Sequence, residues 1–255
     1  MKKLLFLLIL LNAFQSKAQL SPPGLGDGKA GSWMAVGVNQ DLKDDKSTTA
    51  TTYFGVGRKS DYTDYNLVEM PSIVVINQEF YHKLNSNLKV SYALSYRNQQ
   101  EIKLNKETNI KDKITKQEVR AYGRLAYSFK SNNIKYTQTI REDIRKFYDG
   151  NWNNAEETLQ LRTRFKTQIG FALDSKHIHN MTLGAEALFI SSQEVGTHDW
   201  SKFKYNESRF TLFYTLKPKE MPVEFSVGYM NNLIEKGDTH AVHYAAVSVV
   251  WNNLF

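Results

Sequence analysis

The residues best equipped for chemistry are six histidines and a large set of charged side chains spaced two apart. A histidine activates a serine hydroxyl from within hydrogen-bond reach. On a β-strand a spacing of two puts both side chains on one face. His82, His177, His179, His198, His240 and His243 are followed two positions on by Leu, His, Met, Trp, Val and Ala. No histidine has a serine at that spacing, so a hydrolytic site needs a serine from another strand, with His240 or His243 as base. Asp238-Thr239-His240 offers half of the Asp-x-His and Asp-x-Asp set of a barrel protease, but no Asp-x-Asp occurs. Asp238 fits the turn Lys236-Gly237-Asp238. His177 and His179 fall on a short turn with no third ligand near them, which argues against a metal site. No phosphate-cradling glycine loop, zinc spacing or nucleophile elbow is present. The expectation is no catalytic residue, no metal, no cofactor and, on balance, no enzyme.

The charged set asks for a different chemistry. Counting faces by period two puts Arg120, Arg124, Lys135, Arg141, Arg145, Arg162, Arg164 and Lys166 on one side of successive strands. Glu79, Glu118, Asp143, Glu186, Glu207 and Glu224 share that side. Apolar residues occupy the other side. In lipid, Arg or Lys on the outer face near the midplane costs ~2–4 kcal/mol each, so the charged face is the lumen of a barrel. A basic lumen selects anions, which makes a small anionic solute a candidate partner. Arg–carboxylate pairs filling a narrow barrel would instead plug it.

Strands must position these groups, and period two dominates from Gly31 onward. Leu88, Val90, Tyr92, Leu94 and Tyr96 alternate with Lys89, Ser91, Ala93, Ser95 and Arg97. Short turns near 85–87, 130–133, 174–177 and 217–220 alternate with longer connections near 99–116, 146–157 and 192–203. Those loops make a surface-binding role a third reading, with Trp152 and Trp200 as exposed aromatics. Together these features predict an all-β, antiparallel transmembrane β-barrel with short periplasmic turns and longer extracellular loops. Eleven strands can be counted, whereas bacterial single-chain barrels have an even number. The range is therefore 10–12, with 12 favoured by a further strand around Tyr62–Val68.

The ends fit the same picture. Lys2 and Lys3, the apolar run Leu4–Leu11, and small residues at Ser16 and Ala18 resemble a secretory signal peptide over residues 1–18. Residues 19–30 (QLSPPGLGDGKA) read as a periplasmic linker, and 31–255 as the barrel. The last strand carries an apolar stripe and ends on Phe255, a signal for the barrel-assembly machinery of the outer membrane. Zero cysteines exclude a lipid-anchored N-terminus and suit a chain crossing the periplasm without a disulfide. Net charge is +7, but the basic residues alternate along strands and form no run or helix face, which excludes nucleic acid as a partner.

Three segments carry a family likeness: Glu118-Val119-Arg120, TQTIREDIRKF (137–147) and LQLRTRF (159–165). Charge-rich successive strands of this E-x-R and R-x-R type resemble a family of uncharacterised outer-membrane barrels, a domain of unknown function common in the Bacteroidota. The likeness is in architecture over most of the chain and in motif over about 116–172. It implies a barrel in outer-membrane lipid and no assigned activity.

Overall fold

The computed structural model describes residues 22–25, 28–61, 64–104, 111–194, 196, 199–236 and 238–255. Residues 1–18, 19–21 and 26–27, and with them the expected signal peptide and part of the linker, lie outside that set. Eleven strands form: β1 (Ala30–Asp41), β2 (Thr48–Lys59), β3 (Met70–Lys83), β4 (Leu88–Leu104), β5 (Lys111–Ser131), β6 (Ile134–Tyr148), β7 (Asn154–Ala172), β8 (His179–Glu194), β9 (Lys204–Leu216), β10 (Val223–Lys236) and β11 (Asp238–Asn252). Each pairs with its chain neighbour in antiparallel register, and β1 closes the barrel on β11 in parallel register, from Ala30 opposite His243 to Asn39 opposite Asn252.

That parallel seam resolves the parity question. Strands that alternate direction leave the first and last of an odd set running the same way, so eleven can close only through a parallel pair. Among the described residues the barrel thus has eleven strands, within the expected 10–12, and the described part of the segment considered for a twelfth forms none. Of its residues, 64–68 form a loop, and 62–63 lie outside the described set. This loop lies against the outside of the seam: Ser32 Oγ donates to Leu67 O (2.8 Å) and Arg58 Nε to Val68 O (2.7 Å).

Alternation decides what faces where. Leu94, Ile144, Phe165, Val227 and Val247 are exposed on the outer surface, while Arg120, Asn77, Asn232 and Ser95 one face away are buried. The outer face also carries aromatic clusters near both ends of the strands. Tyr96, Tyr148 and Trp152 stack toward the long-loop end, and Phe80, His82 and Tyr92 toward the short-turn end. Trp152 is thus held in an aromatic cluster.

The connections are organised by carboxylate-capped turns. Asp149 Oδ1 accepts from the N–H groups of Asn151 and Asn153 (both 2.8 Å), and Asp174 accepts from those of Lys176 and His179. Hydrogen bonds from Asn153 hold the Asp149 carboxyl below its ordinary range, and the His179 N–H does the same for Asp174. Two connections are shorter than their sequence suggests. The ladder of β4 and β5 continues to Leu104 opposite Lys111, and β10 reaches Lys236 opposite Asp238. The polar residues of 99–104 and 111–116 extend the hairpin because a strand paired on one side satisfies its backbone whatever its side chains.

Residues 22–25, within the stretch read as a linker, lie inside the barrel. Pro22, Pro23 and Leu25 are buried, and Leu25 is fully so. Leu25 N donates to Tyr244 Oη (3.3 Å), and Leu25 O accepts from Ser72 Oγ (2.9 Å). Both partners point inward from β11 and β3, so residues 22–25 run within the lumen. The two prolines suit that path because they have no N–H for a ladder to satisfy.

Candidate functional site

The lumen is filled by two kinds of material. Under the seam, Leu25 packs with Trp33, Ile73, Val75, Phe213, Met230, Val242 and Tyr244 in one apolar cluster. Gly55 lets this happen: a Cβ there would sit 2.2 Å from the Trp33 ring, which lies flat on the bare backbone. Gly228 gives Phe213 the same clearance.

On the opposite wall, β4 to β8 supply most of an ion network, which Glu79 on β3 and Glu207 and Arg209 on β9 extend at its edges. Asp143 is its hub. Its buried carboxylate accepts from Arg162 Nε (3.0 Å) and Arg141 Nε (2.9 Å), and Arg120 Nη1 lies 3.7 Å away. Glu118 holds Arg120 Nη2 at 2.5 Å and Arg145 Nη2 at 2.8 Å. Arg145 also bonds Gln160. Arg164 donates to Glu186 through two guanidinium nitrogens, Nε and Nη2, across β7 and β8 (2.9 and 2.7 Å). Glu79 takes Tyr122 Oη and Ser91 Oγ (both 2.7 Å) and Arg124 (3.4 Å). Glu207 pairs with Arg209 two residues on, and Asn232 donates to it (2.9 Å). Positive charge exceeds negative at Asp143 and Glu118, and aromatic faces take up some of it. The Arg141 guanidinium lies 3.4 Å from the Tyr122 ring centroid, and Arg145 4.6 Å from that of Phe147.

Glu118, Arg120, Arg124, Arg141, Arg145, Arg162, Arg164, Glu186 and Glu207 are therefore brought to the inner face, in a band that spans several register positions from Glu118 down to Arg124. Lys166 points into the same lumen below Arg164. Glu224 stands apart near the short turns, 3.0 Å from Lys217 Nζ. Two members were not singled out from sequence. Arg209 repeats the E-x-R pattern of Glu118 and Arg120 in Glu207-Ser208-Arg209, which could have marked it. Arg97 shares the inward face of β4, but nothing nearby in sequence distinguishes it.

Below the network the lumen opens into a vestibule of about 1140 Å³. Its wall includes residues from the short turns, among them Lys46, Ser86, Asn132 and His177, so its mouth is at the short-turn end. Arg162, Arg164 and Arg209 from the network and Pro22 and Pro23 from the inserted segment form its floor.

The histidines do not assemble. His240 and His243 lie three apart on β11 and so face opposite sides of the sheet. His243 is on the outside, 2.6 Å from Tyr229 Oη. His179 is also outside, 2.6 Å from Tyr214 Oη, whereas His177 lines the vestibule. Among the described residues no three His, Cys, Asp or Glu side chains group as metal ligands. His198 lies outside the described residues. Comparison with family models, curated proteins and solved structures finds no match to the chain.

Proposed function

We propose that this chain is an integral outer-membrane barrel whose lumen is closed across its middle, a structural or binding barrel and not an open diffusion pore. The observation that carries the reading is burial on both walls of the lumen: Arg120 on one wall and Leu25 under the other are both fully buried. Water does not reach either side chain, and a hydrated ion is larger than water.

The membrane assignment rests on the outward apolar stripe with its two aromatic clusters. The signal-like residues 1–18 and the aromatic end of β11 support export and capture by the barrel-assembly machinery through Phe255. The short turns then face the periplasm. The E-x-R and R-x-R strands support kinship with the uncharacterised Bacteroidota outer-membrane barrels that they resemble.

Planar-bilayer recording on the purified mature chain tests the closed lumen. The expected result is no stepwise conductance from a preparation that migrates as a folded barrel. Discrete anion-selective steps would replace this reading with an open basic pore.

A further inference from the structure

The wall of the barrel is cut back to admit a residue that belongs to none of its strands. Leu25 meets the sheet at two glycines. A Cβ on Gly57 of β2 would lie 2.7 Å from Leu25 Cδ2, and one on Gly31 of β1 would lie 2.9 Å from its Cδ1. A larger residue at either place would push the leucine out. Ile73 and Tyr244 complete this apolar seat. The backbone of the same residue is held as well. Leu25 N donates to Tyr244 Oη (3.3 Å), and Leu25 O accepts from Ser72 Oγ (2.9 Å). Main-chain hydrogen bonds combined with a pocket for the side chain are how a groove holds a peptide ligand.

The hold is local. Residues 22–25 are part of no strand, and among the described residues those two hydrogen bonds are the segment's polar ties to the barrel. The ladder takes over at Lys29, whose carbonyl accepts from His243 N (3.0 Å). β1 starts just beyond, at the long-loop end, and runs toward the short turn that carries Lys46. Pro22 and Pro23 line the vestibule, which opens at that short-turn end. The chain therefore climbs through the lumen from the vestibule before β1 descends. It can slide back toward the vestibule without breaking a strand pair.

Withdrawal would leave a passage between the two fillings of the lumen. A Cβ on Gly24 would lie 2.9 Å from Arg209 Nη2 and 3.7 Å from both Asn232 Nδ2 and Glu207 Oε2, while Leu25 sits in the apolar cluster. An extended backbone takes up about 5 Å of width. With a guanidinium, an amide and a carboxylate along one border, water fills that strip once the chain is out. We propose that residues 22–25 are a detachable stopper, an intramolecular peptide ligand seated by Leu25, whose withdrawal toward the vestibule opens the lumen to water and small ions. That withdrawal changes conductance at all rests on the closed lumen proposed above.

Single-channel recording of the full mature chain carrying Leu25→Asp tests this, because an apolar seat rejects a carboxylate. The expected result is stepwise conductance where the unsubstituted chain is silent. The octapeptide SPPGLGDG, copied from residues 21–28, then blocks the steps saturably from one side of the bilayer and not from the other. The same peptide with its leucine replaced by aspartate does not block. Ser72→Ala combined with Tyr244→Phe is the milder variant, since it removes two hydroxyls and leaves the apolar wall whole. Each lost bond raises the open fraction by up to about tenfold, so brief openings appear. Heat-modifiable migration on gels verifies that each variant is folded. Silence of the folded variants overturns the stopper and leaves the closed lumen standing. Steps that the octapeptide does not block overturn the seat. Steps from the unsubstituted chain defeat the closed lumen; the stopper falls with it when Leu25→Asp leaves their frequency unchanged and survives when Leu25→Asp raises it.

Discussion

The two sides of the lumen are filled to similar completeness by opposite means. Under the seam, from β9 through β11 and β1 to β3, the filling is mainly apolar, with Glu79 and the Glu207–Arg209 pair at its margins, and includes a piece of chain inserted from before the first strand. Opposite it, from β4 to β8, the filling is guanidinium and carboxylate. Apolar packing loses a local contact when one side chain is cut back, and its neighbours partly relax. An ion network in low dielectric depends on every partner, because each charge left behind keeps its desolvation cost. The barrel therefore has a tolerant side and a brittle side.

The sharpest way to expose that difference is to remove the hub. Asp143→Ala leaves Arg120, Arg141 and Arg162 facing one another around an empty centre. Breaking a buried pair costs about 3–5 kcal/mol, and a shared partner should lie at the upper end of that range. The measurement is the urea midpoint of the refolded barrel in detergent micelles. A loss under about 1 kcal/mol would mean water solvates the network and would remove the distinction between the sides. Converting Asp143 to Leu and Arg162 to Met together should recover part of the loss, because apolar replacements of similar volume often substitute for an ion pair without penalty.

On the tolerant side the matching change is Leu25→Ala. A buried leucine truncated to alanine costs about 2–5 kcal/mol, and here the lower end is expected, since residues 22–25 are held by a few bonds and can shift. The same variant should raise the accessibility of Tyr244 to solvent, read as its fluorescence quenching by iodide. Unchanged stability together with unchanged quenching would place the segment outside the lumen in solution.

The contrast also explains what the sequence made legible. The inward face of the brittle side stands out because charge alternates with oil along β5, β6 and β7, so Arg120, Arg141 and Arg162 could be assigned by counting. Their partners could not. Arg164 meets Glu186 and Arg145 meets Glu118 through cross-strand register, which depends on turn lengths and on the shift near Tyr148. On the tolerant side alternation fades, because Trp33, Met230, Val242 and Tyr244 are apolar on the lumen face too. The burial of Leu25 was hidden for a different reason. Pro22-Pro23-Gly24 has the composition of a linker, and its path is fixed by tertiary contacts alone. The strand count was readable at eleven, but the rule of even numbers pulled it upward, since the sequence carries no mark of a parallel closure.

The smallest expected effect comes from the outside of the brittle side, where the outer stripe is interrupted. Glu142 lies between Ile140 and Ile144 on the outward face of β6, with Gly123 opposite it on β5 and Thr163 on β7. Thr163 Oγ1 donates to its carboxylate (2.9 Å), and Thr167 donates to Gln138 in the same way one step below (3.0 Å). In the membrane placement proposed above, a carboxylate facing lipid is destabilising, though by less than Arg or Lys at the same depth. Glu142→Leu should therefore raise the urea midpoint by the equivalent of about 1 kcal/mol. A lower midpoint would mean that this outer patch is covered in the folded protein. The brittle side would then be held from both faces of its sheet, and its dependence on Asp143 would be only half of its support.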